Sequence, residues 1–127
     1  IGSDQVAGLN GFALGKPGKH TRAVEQLRRM RGQTVIFQTA VAVVCQASSF
    51  AKTELAQVKG QFKHLTDAQI QAYLLAEQSY DCAGSAKSEG LGIALLACID
   101  NDDPTALVEL PLIRTCQLLE AAGLAVL

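Results

Sequence analysis

The chain has 127 residues, of which 49% are hydrophobic, 18% charged and 5% aromatic, and its net charge is −1. This length supports one domain with a buried core but not two, and the near-neutral total gives no reason to expect nucleic acid or an anionic membrane as a partner. The charge is uneven, because residues 1–40 carry six basic and two acidic side chains, whereas residues 41–127 carry five and ten. We therefore expect an anion to bind within the first third of the chain.

Four cysteines lie far apart and form neither a Cys-x-x-Cys pair nor a cluster with histidine: Cys45, Cys82, Cys98 and Cys116. Their spacing argues against a zinc site or a dithiol redox motif and favours reduced thiols in the cytoplasm.

No apolar run reaches the roughly 18 residues that span a bilayer, and the N-terminus lacks the layout of a signal peptide. We therefore expect a cytoplasmic protein that does not enter a membrane. Because the chain starts on Ile1 without a methionine, we also expect that an upstream segment is missing.

The first elements are a strand and a helix that glycine-rich chain connects. Residues 1–6 predict the end of a strand, and the connection after it contains Lys16-Pro17 between glycines. Helical spacing of apolar residues then predicts an amphipathic helix with a basic outer face from about Thr21 to Arg31, which Gly32 ends. Its inner face is expected to consist of Ala23, Leu27 and Met30.

Two strands and a second helix follow. Residues 34–45 are almost all β-branched or apolar, which predicts a central strand covered on both faces. Residues 56–63 alternate apolar with polar side chains, which predicts a strand with one solvent-exposed face nearer an edge of the sheet. Thr66 and Gln69 have the spacing of a capping box, which predicts a helix to about Glu77. This helix is expected to bury Ile70, Tyr73 and Leu74.

The C-terminal third combines turns with one further strand and one further helix. Residues 80–92 predict a turn, residues 93–99 a buried strand, and residues 101–104 an acidic turn. Pro111 suits the first turn of a last helix, which Gly123 ends. The inner stripe of this helix is expected to be Leu112, Cys116 and Leu119. The order of elements predicts an α/β or α+β domain with a mixed, twisted sheet and flanking helices.

Three segments carry side chains suited to chemistry. Asp4 stands at the end of an apolar strand, where an aspartate caps a turn, binds a metal or accepts a proton, and spacing alone favours the cap. Lys16 in its glycine-rich loop can meet a phosphate, although a solvated loop lysine is commoner. Residues 83–90 concentrate small residues around one lysine and one glutamate, which fits a ligand-binding loop and a flexible turn equally. The basic side chains of the first helix usually indicate a solvated face, and no interleaved aromatic residues favour nucleic acid.

Four motifs in this order resemble those of the Maf-like nucleotide pyrophosphatases along the whole chain, residues 1–127. The motifs are Gly2-Ser3-Asp4-Gln5-Val6, Gly15-Lys16-Pro17, Cys82-Ala83-Gly84-Ser85 with Lys87-Ser88-Glu89-Gly90, and Asp103-Pro104 through Leu107-Val108 to Leu110-Pro111-Leu112-Ile113. The third motif resembles the YceF-type branch, associated with 7-methyl-GTP, rather than the branch acting on dTTP and UTP, which has glutamine in place of this glutamate. The family begins with a further strand and a Ser/Arg-rich loop. The resemblance therefore implies a single Maf-like domain that is incomplete at its N-terminus.

The resemblance implies metal-assisted hydrolysis of a (7-methyl)guanosine-type triphosphate to the monophosphate and pyrophosphate, with Mg²⁺ or Mn²⁺ as cofactor. Asp4 matches the family's proton acceptor and would also hold the metal. Lys16 and Lys87 would neutralise phosphate charge. Gln5 and Glu89 match positions that select the base, and the Glu89 carboxylate can accept hydrogen bonds from the guanine edge. The substrate-binding residues implied in this way are Ser3, Gln5, Lys16, Lys87 and Glu89.

The chain departs from the family pattern at two places. Lys19-His20-Thr21-Arg22 stands where the family usually has acidic residues, and Glu109 stands where it has a glycine. The alternative to an enzyme is a non-catalytic member that binds nucleotide or only self-associates. We expect a homodimer or higher oligomer, because a missing strand leaves an open sheet edge. No nucleic acid polymer and no membrane is expected as a partner.

Overall fold

The computed structural model describes residues 1–127 as one sheet with helices. The strands and helices are β1 (Gly2–Leu9), β2 (Phe12–Leu14), α1 (His20–Met30), β3 (Thr34–Cys45), β4 (Phe50–Phe62), α2 (Asp67–Glu77), β5 (Leu96–Asp100) and α3 (Leu112–Ala121). Short 3₁₀ turns lie at Gln46–Ser48, Ala83–Ser85, Leu91–Leu95 and Pro104–Val108. None of the helices has the length and hydropathy that a membrane-spanning segment requires.

The five strands lie in the order β2-β1-β3-β4-β5, and each pair of neighbours is antiparallel. The predicted combination of sheet and flanking helices is confirmed, whereas the prediction of a mixed sheet is wrong. A mixed sheet is expected when helical crossovers join neighbouring parallel strands. Here tight hairpins join β1 to β2 and β3 to β4, and the chain after α1 places β3 antiparallel to β1.

The β3–β4 hairpin is the longest paired unit, with its register running from Thr34↔Gln61 to Cys45↔Phe50. The predicted bounds of β3 are confirmed, and so is its central position. β4 begins six residues earlier than the alternation of residues 56–63 predicts. The additional residues pair because the tight turn at Gln46–Ser48 fixes the register of the chain that follows.

All three helices pack on one face of the sheet. α1 and α2 bury Leu27 and Ile70 against strand residues such as Phe37, and α3 buries Leu118 against Val41 and Val43. The opposite face carries a hollow of about 670 Å³ that no element covers. The prediction that β3 is covered on both faces is therefore wrong. Small alanines on the open face make the run look continuously apolar, although only alternate residues are buried.

The two local helix predictions are confirmed. In α2 the Thr66 side chain accepts the Gln69 N–H and the Gln69 side chain accepts the Thr66 N–H, which is the predicted capping box. The predicted residues Ile70, Tyr73 and Leu74 are the buried ones. α1 buries its predicted face, and Gly32 follows it with φ of +69°. Both helices follow from contacts within a few residues of sequence.

Two predictions in the C-terminal third are wrong. Residues 91–95 form a 3₁₀ turn, and β5 begins at Leu96 as a largely exposed edge strand rather than a buried one. Pro111, which precedes α3, is buried, and so are Thr115 and Leu118 within it. The predicted inner residue Leu112 is 47% exposed, and Cys116 and Leu119 are half-buried. Successive residues of a helix point about 100° apart, so the stripe is rotated by one residue. Sequence periodicity detects such a stripe but cannot choose between adjacent ones of similar composition.

Candidate active site

Asp4 lies on the open face of β1, near the free edge of the sheet. Its carboxylate Oδ1 accepts the backbone N–H of Gln5 at 2.9 Å. β2 pairs only with Ala7–Leu9, so Gly2–Val6 has β3 on one side and no strand on the other. The Asp4 carboxylate therefore accepts a backbone N–H that has no neighbouring strand to bond with. Asp4 remains exposed and forms no ion pair.

Gln5 points to the opposite, helix-covered face because side chains alternate along a strand. Its Nε2 donates to Thr39 Oγ1 and to the Ala106 carbonyl, both at 2.9 Å. The Thr39 hydroxyl also donates to Ala106, and Thr39 is fully buried. Since a backbone carbonyl can only accept, these contacts fix which end of the Gln5 amide is the nitrogen. The Gln5 Oε1 forms no hydrogen bond within the chain and remains a fixed free acceptor.

Gln5 and Glu89 line one small pocket of about 140 Å³ on the covered face. Sequence reasoning placed both at base-selecting positions, and the structure brings them together. Cys82 and Glu109 also line this pocket and were not predicted as site residues. Burial raises the pKa of the Cys82 thiol, and the carboxylates of Asp81 and Glu89 raise it further. The pocket lining therefore includes two acidic residues and a thiol that stays protonated.

Glu109 adopts a left-handed backbone conformation, with φ of +76°. Its carbonyl accepts the Ser3 hydroxyl at 2.6 Å, and the same hydroxyl lies 2.8 Å from the Ala40 carbonyl. Glycine adopts positive φ without the steric cost that a side chain adds. The departure at Glu109 from the family's glycine was the one sequence signal for this unusual position. Ser3 thus contacts the backbone of the pocket wall.

The loop that contains Lys16 is held beside the loop that contains Lys87. The Gly15 carbonyl accepts the Gly84 N–H at 3.3 Å and the Gln26 side-chain amide at 2.8 Å. The other end of the Gln26 amide accepts the hydroxyl of buried Ser85 at 2.7 Å. Gln26 therefore links both loops, a role that nothing in the sequence pattern indicated. Lys16 is exposed and unpaired, whereas Lys87 Nζ lies 3.5 Å from Glu77 Oε1.

No three histidine, cysteine, aspartate or glutamate side chains are grouped closely enough to hold a metal ion by themselves. Asp4 offers one exposed carboxylate. Mg²⁺ commonly binds one or two carboxylates and completes its shell with substrate phosphates and water. The residues present therefore fit a cation that arrives with a phosphorylated substrate.

Comparison with known proteins gives a consistent result. The family model described as "Maf-like protein" matches residues 1–122. A 7-methyl-GTP pyrophosphatase of Polaromonas sp. is 72% identical over 98% of this chain and 57% of its own length. The proteins of the same name from Albidiferax ferrireducens and Nitrosococcus oceani are 70% and 54% identical, each over 100% of this chain and 64% of its own length. The chain thus spans less than two thirds of these curated relatives. The match over nearly all its residues shows that it belongs to the Maf-like family.

Proposed function

We propose that this chain carries the base-selecting and proton-accepting residues of a nucleoside triphosphate pyrophosphatase. Its substrate would be a 7-methylguanosine-type triphosphate, and its products the monophosphate and pyrophosphate. The pocket shared by Gln5 and Glu89 carries this proposal, because it places a fixed acceptor beside a carboxylate next to two lysine-bearing loops. The printed names of the similar proteins support the same substrate.

The base would lie against Glu89. A carboxylate has two acceptor oxygens, which suit the N1–H and exocyclic amine of guanine. Glu109 adds a second negative charge to the pocket wall. Methylation at N7 makes guanine cationic, so two carboxylates would favour the methylated base over the neutral one. The free Gln5 Oε1 would accept a further hydrogen bond from the nucleoside.

The triphosphate would extend toward Lys16 and Lys87, whose ammonium groups would neutralise its charge. Asp4 would accept a proton from a water molecule as the water oxygen forms a bond to the α-phosphorus. The bond between the α-phosphorus and the bridging oxygen of the β-phosphate breaks, and pyrophosphate leaves with that electron pair. The convergence of Asp4, Lys16 and Lys87 on one triphosphate is part of the proposal.

A divalent cation, Mg²⁺ or Mn²⁺, would be held by the Asp4 carboxylate together with the phosphate oxygens of the substrate. When bound it would stabilise charge on the phosphates and the leaving pyrophosphate. Four free thiols favour action in a reducing compartment such as the cytoplasm.

Pyrophosphate release from 7-methyl-GTP, GTP and dTTP, with Mg²⁺ or Mn²⁺, tests the activity. We expect 7-methyl-GTP to turn over fastest and Asp4→Asn to reduce turnover about 100-fold or more. Glu89→Gln is expected to lower the preference for 7-methyl-GTP over GTP about tenfold, because one charge-assisted contact is lost. Turnover that survives Asp4→Asn unchanged would rule out the assigned proton acceptor. Equal relative rates in Glu89→Gln would contradict the base contact.

The second candidate is a non-catalytic protein that binds nucleotide or only self-associates. The open face favours self-association, because it exposes Val6 and Leu55 beside the unpaired edge of Gly2–Val6. We expect a homodimer or higher oligomer by light scattering, and Val6→Lys on this face to shift it toward monomer. A wild-type monomer would contradict this expectation. Nucleotide binding without any turnover would favour the second candidate over the first.

A further inference from the structure

α2 presents two polar side chains, Tyr73 and Glu77, four residues apart and therefore on the same side of the helix. The Tyr73 hydroxyl accepts the backbone N–H of Lys87 at 3.1 Å and lies 2.9 Å from the carbonyl of Ser85. Tyr73 is only 6% exposed, and burial raises the pKa of its hydroxyl. The hydroxyl therefore stays protonated and can donate and accept at once.

Glu77 holds the other end of Lys87. Its Oε1 lies 3.5 Å from Lys87 Nζ, and its Oε2 accepts the Leu91 N–H at 2.7 Å. The Glu77 side chain is 14% exposed, against 42% for that of Lys87. A Cβ at Gly90 would lie 2.6 Å from Glu77 Oε2, so the carboxylate occupies the space that a side chain at this position would need.

The Lys87 carbonyl is fixed as well. It accepts the N–H groups of Gly90 and Gly92 at 3.1 and 2.9 Å. A Cβ at Gly92 would clash with this carbonyl oxygen, which only glycine avoids. The backbone of Lys87 is therefore held at its N–H and its carbonyl, and its ammonium group at Glu77.

Glu77 is the last residue of α2, where the helix dipole disfavours a negative charge. Nothing within the helix explains an acidic residue there, because its last turn carries no basic side chain. The contacts that offset this cost are those to the Lys87 loop. We infer that Tyr73 and Glu77 are positioning residues that fix Lys87, by its backbone and its ammonium respectively, for binding a polyphosphate. This inference rests on the proposed function, which gives Lys87 its phosphate.

A double-mutant cycle measured with inorganic tripolyphosphate tests the inference without turnover. Titration calorimetry on wild type, Glu77→Gln, Lys87→Met and the double variant gives four affinities. We expect Glu77→Gln to weaken binding about threefold to fivefold, since it removes a partly shielded ion pair. The same substitution is expected not to weaken binding when Lys87→Met is already present, because interacting residues are non-additive.

The sign of the effect is diagnostic. Removing one negative charge anywhere should slightly strengthen the binding of a polyanion. Glu54→Gln is the matched control, since it also breaks a lysine–glutamate pair, with Lys52, in the largely exposed first half of β4. Tighter binding by Glu77→Gln, or equal weakening in both Lys87 backgrounds, would overturn the inference. Tyr73→Phe is expected to weaken binding similarly while retaining the fold by circular dichroism, and unchanged affinity would remove Tyr73 from the inference.

The experiment also separates this inference from the proposed function. Wild type that fails to bind tripolyphosphate, or Lys87→Met with undiminished affinity, would remove the phosphate role of Lys87 and the inference with it. A loss on Lys87→Met with no loss on Glu77→Gln would leave the proposed function standing and overturn the role of Glu77 alone.

Discussion

The sheet has one face that α1, α2 and α3 cover and one that no element covers, and β1 contributes to both. On the covered face, Gln5 is held by Thr39 and the Ala106 carbonyl and opens on a small pocket. On the open face, Asp4 is exposed and contacts only the neighbouring backbone N–H. Consecutive residues of one motif thus receive different environments. The proposed base-selecting group is pre-positioned, whereas the proposed proton acceptor is available to solvent and to a cation.

The largest expected difference between the faces is in packing. Leu27 is fully buried against the covered face, whereas Leu55 on the open face is 52% exposed. We expect Leu27→Ala to lower the free energy of unfolding by about 3 kcal/mol and Leu55→Ala by less than about 1 kcal/mol. Urea denaturation of the two matched variants measures this. Equal losses would mean that a second copy or another segment covers the open face in solution.

A smaller loss of stability is expected from removing a buried polar group on the covered face. Thr39→Val removes a fully buried hydroxyl that contacts Gln5 and Ala106, so we expect a loss of about 1–2 kcal/mol and weaker discrimination between bases. Thr53 is the control, because it is an exposed threonine on the open face. Thr53→Val should stay near wild type in urea denaturation. A Thr39 variant with unchanged stability and base preference would show that Gln5 does not depend on this anchor.

The smallest expected effect concerns the wall of the pocket. Glu109→Gly should remove the steric cost of the left-handed backbone conformation at this position and stabilise the fold by about 0.5–1 kcal/mol. Thermal unfolding measures this change. Gln78→Gly, at another non-glycine residue with positive φ, provides the comparison. A destabilised Glu109→Gly variant would mean that the Glu109 side chain makes a contact whose stabilising free energy exceeds the cost of the left-handed conformation.

The elements that could be predicted from the sequence are those that depend on contacts between residues close together in the chain. The capping box at Thr66 and the stripe of α1 were predicted because their partners lie within one or two turns. The exposure of β5 and the buried face of α3 could not be predicted, because each depends on which distant element packs against it. The same limit applied to β3, whose apolar run does not reveal that one face is open.

For the candidate site, the motifs placed Gln5 and Glu89 in a common role, and they share a pocket. The linking residues Gln26 and Glu77 could not be predicted, because each acts through contacts with loops far away in sequence. Nor did the motif show that Asp4 and Gln5 face opposite sides, although strand alternation requires it once the strand continues through both.

The central position of β3 also determines which backbone amide hydrogens are best protected from exchange with solvent. Residues 36–42 pair with β1 on one side and β4 on the other, whereas Val43–Cys45 pairs with β4 alone. Amide hydrogens between two strands exchange with solvent only when larger units come apart. Deuterium uptake should therefore be slowest in the middle of β3 and fast at the outer side of Gly2–Val6. The outer backbone groups beside the proposed proton acceptor are thus free to pair, which makes Asp4 sensitive to any chain that adds to this edge.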